Sequence, residues 1–191
     1  MRVSKETAAA NRARILAEAA RLFRERGLSG VGVDALGEAA GLTHGSLYSQ
    51  FGSKERLAAE AVAQAISGSA LARIPEDSGP EVLPGIIAGY LSARHRDAPG
   101  QGCTFAALGG EMPRQGPALR QIFTEGLRSR MTRLAAMLPG RRRAAREDRA
   151  LALLASMVGA LVLARAVDDP VLSDRLLEAT AAELRSRLDQ A

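Results

Sequence analysis

Two short amphipathic helices joined by a glycine are predicted near the amino terminus. Leu36 and Ala40 are four positions apart, so they lie on the same face of the first helix. Gly41 follows where helices commonly end in the left-handed conformation, which glycine adopts without a steric penalty. Leu47 and Phe51 repeat the four-residue spacing in the second helix. The pattern therefore predicts a helix pair with one buried face on each helix and a sharp turn between them.

The second predicted helix has a polar outer face. It begins after Thr43, whose hydroxyl can accept a hydrogen bond from the amide of Ser46, and extends to about Gln50. The residues left facing outward are His44, Gly45, Ser46, Tyr48 and Ser49. A short helix with small and polar side chains fits the major groove of B-DNA and can offer donors and acceptors to base edges. We therefore predict a helix-turn-helix over about residues 33–52 that contacts DNA through this face.

The segments on both sides of the helix pair favour this interpretation. Residues 8–26 carry apolar side chains on one face and arginines elsewhere, which predicts a long supporting helix with a basic exterior that ends at Gly27. Downstream, Ser53 can cap a helix whose first residue is Lys54, and helix amides beside an ammonium group suit a phosphate oxygen. Without these flanks, the pair fits an ordinary helical hairpin equally well.

Residues 15–57 resemble the TetR family of bacterial transcriptional regulators. The resemblance rests on the segments ILAEAARLF, ALGEAAGLTHGSLYSQF and SKERL at fixed separations. The positions that it implies at the DNA are Thr43, His44, Gly45, Ser46 and Tyr48, with Lys54 on a phosphate. Gly32 departs from the pattern, because the family usually has a Thr or Ser there that caps the first helix and contacts a phosphate. The resemblance also implies a repressor that binds a palindromic operator and is released by a small molecule.

The remaining sequence predicts an all-α protein of about nine helices. No segment shows sustained alternation of apolar and polar residues, and turn-forming residues leave five apolar segments after the motif. The helix that Ser53 caps is expected to run to about Ser69 and to link the two parts of the protein. We predict a three-helix DNA-binding domain over residues 1–55. The resemblance implies that residues 56–191 form a larger helical domain for ligand binding and dimerisation.

Two apolar stripes near the carboxyl terminus predict a dimer interface. Asp169 can cap the last helix and Pro170 can begin it. Periodicity alone fits the core of a single protomer equally well, but two-fold symmetric half-sites on a duplex favour a homodimer, as the resemblance also implies. The residues predicted at the interface are Leu151, Leu154, Val158, Leu172, Leu176, Thr180 and Leu184.

The middle of the chain is where the resemblance implies a pocket for a small molecule. We expect an apolar or amphipathic effector there, with no resident cofactor and no metal ion. The candidate lining residues are Tyr90, Cys103, Phe105, Leu108, Met112, Phe123, Leu127, Met131, Met157 and Leu161. His95 and Glu111 are candidate polar contacts, and plain core packing explains most of the apolar residues as well. Cys103 allows an alternative in which a reactive thiol senses oxidants or electrophiles, although an inert buried cysteine is the simpler interpretation.

Composition narrows the classes of function. A net charge of +5 favours an anionic partner, while an aromatic content of 3% argues against a single-strand binder that stacks bases. Residues 141–143 are three consecutive arginines, for which a solvated loop is favoured over a second basic patch. The sequence has no phosphate loop or metalloprotease motif, which argues against an enzyme. A helical adaptor that binds only protein would leave the polar face from Thr43 to Lys54 without a role.

A cytoplasmic location is expected from the cysteine content and the amino terminus. The single cysteine excludes an internal disulfide, and no segment resembles a secretion signal. The longest uncharged run, residues 150–164, is shorter than the roughly 20 residues that span a bilayer. We therefore expect no membrane association.

Overall fold

Helices account for the regular structure of the described part of the chain. The computed structural model describes residues 5–41 and 44–189, and over these ranges it contains no β-strand. Its α-helices are α1 (Lys5–Arg26), α2 (Val33–Ala40), α3 (His44–Phe51), α4 (Lys54–Ser67), α5 (Leu83–Tyr90), α6 (Ala93–Asp97), α7 (Thr104–Leu108), α8 (Pro117–Met137), α9 (Arg143–Ala166) and α10 (Pro170–Asp189). The predicted all-α class is confirmed.

The described residues contain one helix more than the expected nine because the segment after Pro80 is divided. Ser92 separates α5 from α6, and its hydroxyl oxygen accepts a hydrogen bond from the amide of His95 at 3.2 Å. Ser92 is therefore the N-cap of α6, and α6 starts directly after α5 without a glycine or proline between them. A helix of five residues is too short to show a hydrophobic period, so the sequence pattern merges it with α5.

Local signals set the ends of the helices in the amino-terminal part. Gly27 follows α1 with φ of 76°, and Gly41 follows α2 with φ of 64°, so both have the left-handed conformation expected of glycine at a helix end. The hydroxyl of Ser53 accepts from the amide of Arg56 at 3.2 Å and caps α4. These features confirm the predicted end of α2 at Gly41 and the predicted start of α4. Thr43, the predicted cap of α3, lies outside the described residues.

The first of two hydrophobic cores joins α2 and α3 to their supporting helices. Its large, fully buried side chains include Ile15, Phe23, Leu36, Leu47, Phe51 and Leu57. Phe105 and Leu108 of α7 and Leu119 of α8 belong to the same core. Packing is therefore continuous from α1 into the later helices, and the domain boundary after residue 55 stays a prediction.

The second core fills the space between α5, α8, α9 and α10. Leu83, Leu134, Met157 and Leu161 are fully buried in it. At the start of α10, Asp169 accepts hydrogen bonds from the amides of residues 171 and 172 at 2.8 and 3.1 Å, so the predicted cap is confirmed. This core holds α9 and α10 together near the carboxyl terminus.

Length and composition alone would allow α9 to cross a membrane. An 18-residue window in this helix is apolar enough, and 39% of the window is buried within the protein. Core helices of globular proteins meet the same criteria, so the feature is weak evidence for a membrane span. One side of α9 packs into the second core.

Candidate functional site

The outer face of α3 is positioned by two side chains on its inner face. Leu47 and Phe51 are 0% and 1% exposed, which confirms the predicted inward pair. Tyr48, Ser49 and Gln50, which lie between them in sequence, are exposed. Because α3 has only eight residues, its orientation depends on this burial rather than on its own helical stability.

Arg12 of α1 braces the same helix. Its guanidinium lies 4.2 Å from the ring centroid of Phe51, and its Nη1 donates to the carbonyl oxygen of Gln50 at 2.9 Å. Its Nη2 forms an ion pair with Glu60 of α4 at 2.5 Å. Arg12 therefore connects three helices at the carboxyl end of α3, where a cation also complements the helix dipole.

Two further arginines of α1, Arg14 and Arg21, are also held by contacts within the protein. Arg14 donates to the carbonyl oxygen of Ala40 at the end of α2, at 3.3 Å. Arg21 pairs with Glu18 and Glu25 along α1 at 3.0 and 2.8 Å. The predicted basic exterior of this helix is therefore largely used to support the structure. Sequence periodicity did not reveal this, because it carries no information about partners in other helices.

The structure places the predicted DNA-contacting residues in and around α3. Tyr48 is 39% exposed and Ser49 is exposed on α3, while Lys54 is half-buried as the first residue of α4. Gly32 precedes α2 and provides no side-chain cap, so the hydroxyl that the family usually has there is missing, as expected. Thr43 lies outside the described residues, and so do the side chains of His44 and Ser46 and the exposure of Gly45.

A carboxylate from the later part of the chain holds the loop between α1 and α2. Glu111 accepts hydrogen bonds from the amides of Leu28 and Ser29 at 3.0 and 3.2 Å. A Cβ at Gly27 would lie 2.5 Å from the Glu111 carboxylate and would displace it, and the φ of 76° also favours glycine here. Glu111 was a candidate polar contact for a ligand, but the structure places it at the junction with the DNA-binding part. Its partners are more than 80 positions away in sequence, which local patterns do not reveal.

A second contact crosses the same junction in the opposite direction. Arg24 of α1 donates through Nε to the carbonyl oxygen of Gly100 at 2.9 Å, and its Nη2 donates to the same oxygen. Burial lowers the pKa of the Arg24 guanidinium, although it stays charged. Arg24 and Glu111 thus bind α1 and its following loop to the segments on either side of α7.

The predicted ligand residues are divided between the two cores. Those of the first core are Phe105, Leu108 and Met112, with Phe123 packed against them. Those of the second core are Met157 and Leu161, with Tyr90 and Met131 packed against them. Cys103 and Leu127 contact both cores. Two surface clefts, of about 670 and 360 Å³, are lined by none of these residues, so their assignment to a ligand pocket stays a prediction.

Polar groups converge where the two cores meet. His95 Nε2 accepts from the amide of Cys103 at 3.0 Å, so Nδ1 carries the proton and donates to the carbonyl oxygen of Tyr90 at 2.7 Å. Burial lowers the pKa of His95, which keeps the ring neutral. The Tyr90 hydroxyl is buried without a hydrogen-bond partner among the described residues, and burial and, to a smaller extent, the nearby Cys103 raise its pKa. No group of three or more His, Cys, Asp or Glu side chains in residues 5–41 and 44–189 is arranged to hold a metal ion.

The residues predicted at the dimer interface differ in exposure. Leu151 and Leu172 are 40% and 43% exposed, whereas Leu154 and Leu184 are buried in the second core. Val158, Leu176 and Thr180 are half-buried. Periodicity did not single out three further exposed apolar residues on these helices, Val162, Leu163 and Val171. An apolar surface thus extends over the outer side of α9 and α10.

Replacing Glu111 with Ala should release the loop between α1 and α2. Because hydrogen bonds to a charged group contribute about 1.5–3 kcal/mol, we expect the amides of Leu28 and Ser29 to exchange with solvent at least about tenfold faster. Residue-resolved hydrogen exchange measures this directly. Glu125→Ala on the exposed side of α8 is the matched control. Unchanged exchange at both amides in Glu111→Ala would show that the carboxylate does not hold the loop.

Known proteins share the sequence pattern of the amino-terminal helices and the fold of the chain. Residues 15–61 match the sequence model described as bacterial regulatory proteins, tetR family. No curated protein matches the chain. The chain is similar in structure to a TetR-family transcriptional regulator from Agrobacterium tumefaciens, with 22% identity and a TM-score of 0.76 over 94% of this chain and 98% of that one.

Two further solved structures have the same fold. A TetR-family regulator from Cytophaga hutchinsonii is 23% identical, with a TM-score of 0.72 over 97% of this chain and 98% of that one. The reduced form of NemR from E. coli is 21% identical, with a TM-score of 0.72 over 93% of this chain and 96% of that one. Members of the family are DNA-binding transcription factors rather than enzymes, as the sequence predicts. Residues 15–61 thus match the amino-terminal domain of the TetR family, and the chain shares the fold of solved structures described as TetR-family regulators.

Proposed function

We propose that the protein is a homodimeric repressor that binds a palindromic operator through α3. The observation that carries this proposal is the buried pair on the inner face of α3, which leaves the opposite face open beside the capped start of α4. Tyr48 and Ser49 lie on that open face, and Lys54 begins α4. In this proposal His44 and Ser46 contact base edges, Gly45 allows close approach, and Lys54 contacts a phosphate together with the amides at the helix start.

Separate substitutions should distinguish contacts to phosphate from contacts to bases. Lys54→Ala should weaken binding to all duplexes nearly alike and reduce the salt dependence of log affinity by about one, because one phosphate contact is lost. Ser46→Ala or His44→Ala should instead change which sequences are preferred. Band-shift titrations at several salt concentrations measure both effects, with the remote exposed variant Arg187→Ala as control. The reverse pattern, with Lys54→Ala changing preference, would contradict the assigned roles.

The exposed apolar surface of α9 and α10 supports dimerisation. Leu151 and Leu172 remain exposed in the single chain, and burying such side chains against a second copy is favourable by roughly 1.5–3 kcal/mol each. In a homodimer with two-fold symmetry, the same residues would face each other across the axis.

Charge placed on this surface should separate the protomers without unfolding them. We expect the double variant Leu151→Glu and Leu172→Glu to sediment as a monomer, while its helical circular dichroism stays that of the wild type. Leu154→Glu, on the buried side of α9, should instead unfold the chain. A double variant that remains dimeric in sedimentation velocity would place the interface elsewhere.

A ligand can release the operator only if it binds two conformers of the protein with different affinity. The Glu111 and Arg24 contacts support such a coupling, because they connect α1 and its following loop to segments that flank α7. The proposed effector is a small apolar or amphipathic molecule, and the proposed location is the cytoplasm, away from membranes.

A second candidate is release of the operator by modification of Cys103. The thiol belongs to a half-buried residue whose amide donates to the neutral His95 ring, and the guanidinium groups of Arg24, Arg130 and Arg165 interact with it electrostatically. Treatment with N-ethylmaleimide should then weaken operator binding by the wild type but not by Cys103→Ser. Equal loss in both proteins, or no loss in either, would rule this mechanism out.

A further inference from the structure

A cleft of about 670 Å³ lies between the end of α1 and the later helices. Its walls come from α1, α6, α7, the end of α9 and the start of α10. The cleft therefore lies at the junction that the Arg24 contact crosses, and it is separate from the residues predicted to line a ligand pocket. A molecule bound here would contact both the DNA-binding part and the later part of the chain.

Most of the charges around this cleft are neutralised by partners within the protein. Glu25 pairs with Arg21 at 2.8 Å. Arg96 pairs with Asp97 at 2.7 Å and with Asp174 at 2.6 Å. These ion pairs leave few charges to be matched by a ligand.

Two guanidinium groups in the cleft have only carbonyl partners. Arg24 donates to Gly100, and Arg165 donates through Nε to the carbonyl oxygen of Arg96 at 3.0 Å and through Nη2 to that of His95 at 2.6 Å. Neither forms an ion pair with a carboxylate in the described part of the chain, and neither Nη1 group donates to a described residue. Burial lowers the pKa of both groups by more than the nearby carboxylates, Glu25 for Arg24 and Asp97 for Arg165, raise it.

The rest of the cleft wall is largely apolar. Ala106 and Ala107 of α7 and Val162 of α9 contribute to it. Asp168, which follows α9, is exposed at its edge and forms no ion pair within residues 5–41 and 44–189. The guanidinium groups of Arg24 and Arg165, which lack carboxylate partners in the described residues, lie beside this apolar wall. Such a site suits a ligand that has an anionic group and a hydrocarbon part.

We propose that this cleft binds a small amphipathic carboxylic acid, with its carboxylate on Arg24 and Arg165 and its hydrocarbon part on the wall formed by α7 and α9. The effect of this ligand on operator binding rests on the proposed repressor function. An anion on Arg24 competes with the carbonyl of Gly100, so the bound ligand changes the attachment of α1 and with it the affinity for the operator.

Octanoate is a suitable probe, and octanol of the same chain length is its uncharged control. Calorimetric titration of the full chain should show octanoate binding at least about tenfold more tightly than octanol, since a charge-assisted hydrogen bond is lost with the alcohol. Arg24→Gln and Arg165→Gln should each weaken octanoate binding by at least about tenfold, while Arg187→Gln should not. Absent octanoate binding, or equal binding by all these variants, would overturn the assignment.

Asp168 provides a variant that leaves the hydrogen bonds of the protein intact. Arg165→Gln loses its hydrogen bonds to α6 and could fail to fold. The Asp168 side chain makes no hydrogen bond or ion pair in the described residues. Asp168→Asn removes a like charge from the edge of the cleft, so octanoate should bind a few-fold more tightly. Asp77→Asn, on a remote exposed loop, is the control. Weaker or unchanged binding by Asp168→Asn would contradict the site.

Band shifts of the same proteins separate this inference from the proposed function. Octanoate should lower operator affinity in the wild type but not in Arg24→Gln. If the operator is bound and octanoate is not, the ligand site is wrong and the repressor function stands. If octanoate binds with the expected dependence on Arg24 and no duplex is bound, the repressor function is wrong and the ligand site stands. Arginine-dependent binding without an effect on operator affinity would overturn the coupling.

Discussion

Burial of the inner face of α3 is the constraint on which the rest of the structure depends. A helix of eight residues is not stable alone in water, so α3 takes its orientation from the core into which Leu47 and Phe51 insert. Arg12 adds a directional constraint. Its guanidinium donates to the carbonyl oxygen of Gln50, lies over the ring of Phe51 and pairs with Glu60 of α4. The outer face is therefore presented by a rigid support, as recognition of base edges requires.

The supporting helix α1 has a second role at its other end. Arg12 and Arg14 hold α2 and α3, whereas Arg24 and the loop that Glu111 binds are attached to segments around α7. A shift of α7 would be transmitted along α1 because both sets of contacts are made by one helix and its loop. The 670 Å³ cleft lies at this second end, where a bound molecule would have the most direct influence on the position of α3.

Features that depend on neighbours in sequence were predictable, and those that depend on distant partners were not. The left-handed Gly41, the Ser53 cap and the Asp169 cap each follow from residues within four positions, and all three are confirmed. The roles of Arg12 and Glu111 depend on partners 38 or more positions away, and no periodicity reveals them. Apolar residues look alike in sequence whether they fill a core or line a cavity, so residues predicted for one pocket divide between two cores.

In the proposed function, two copies of α3 read a duplex at two related half-sites. Selection from random double-stranded oligonucleotides by the full-length protein tests it most directly. The predicted result is enrichment of a two-fold symmetric sequence whose half-sites are about 34–36 Å apart, or a multiple of that spacing. Recovery of no preferred sequence, with no duplex retained even at low salt, would contradict it.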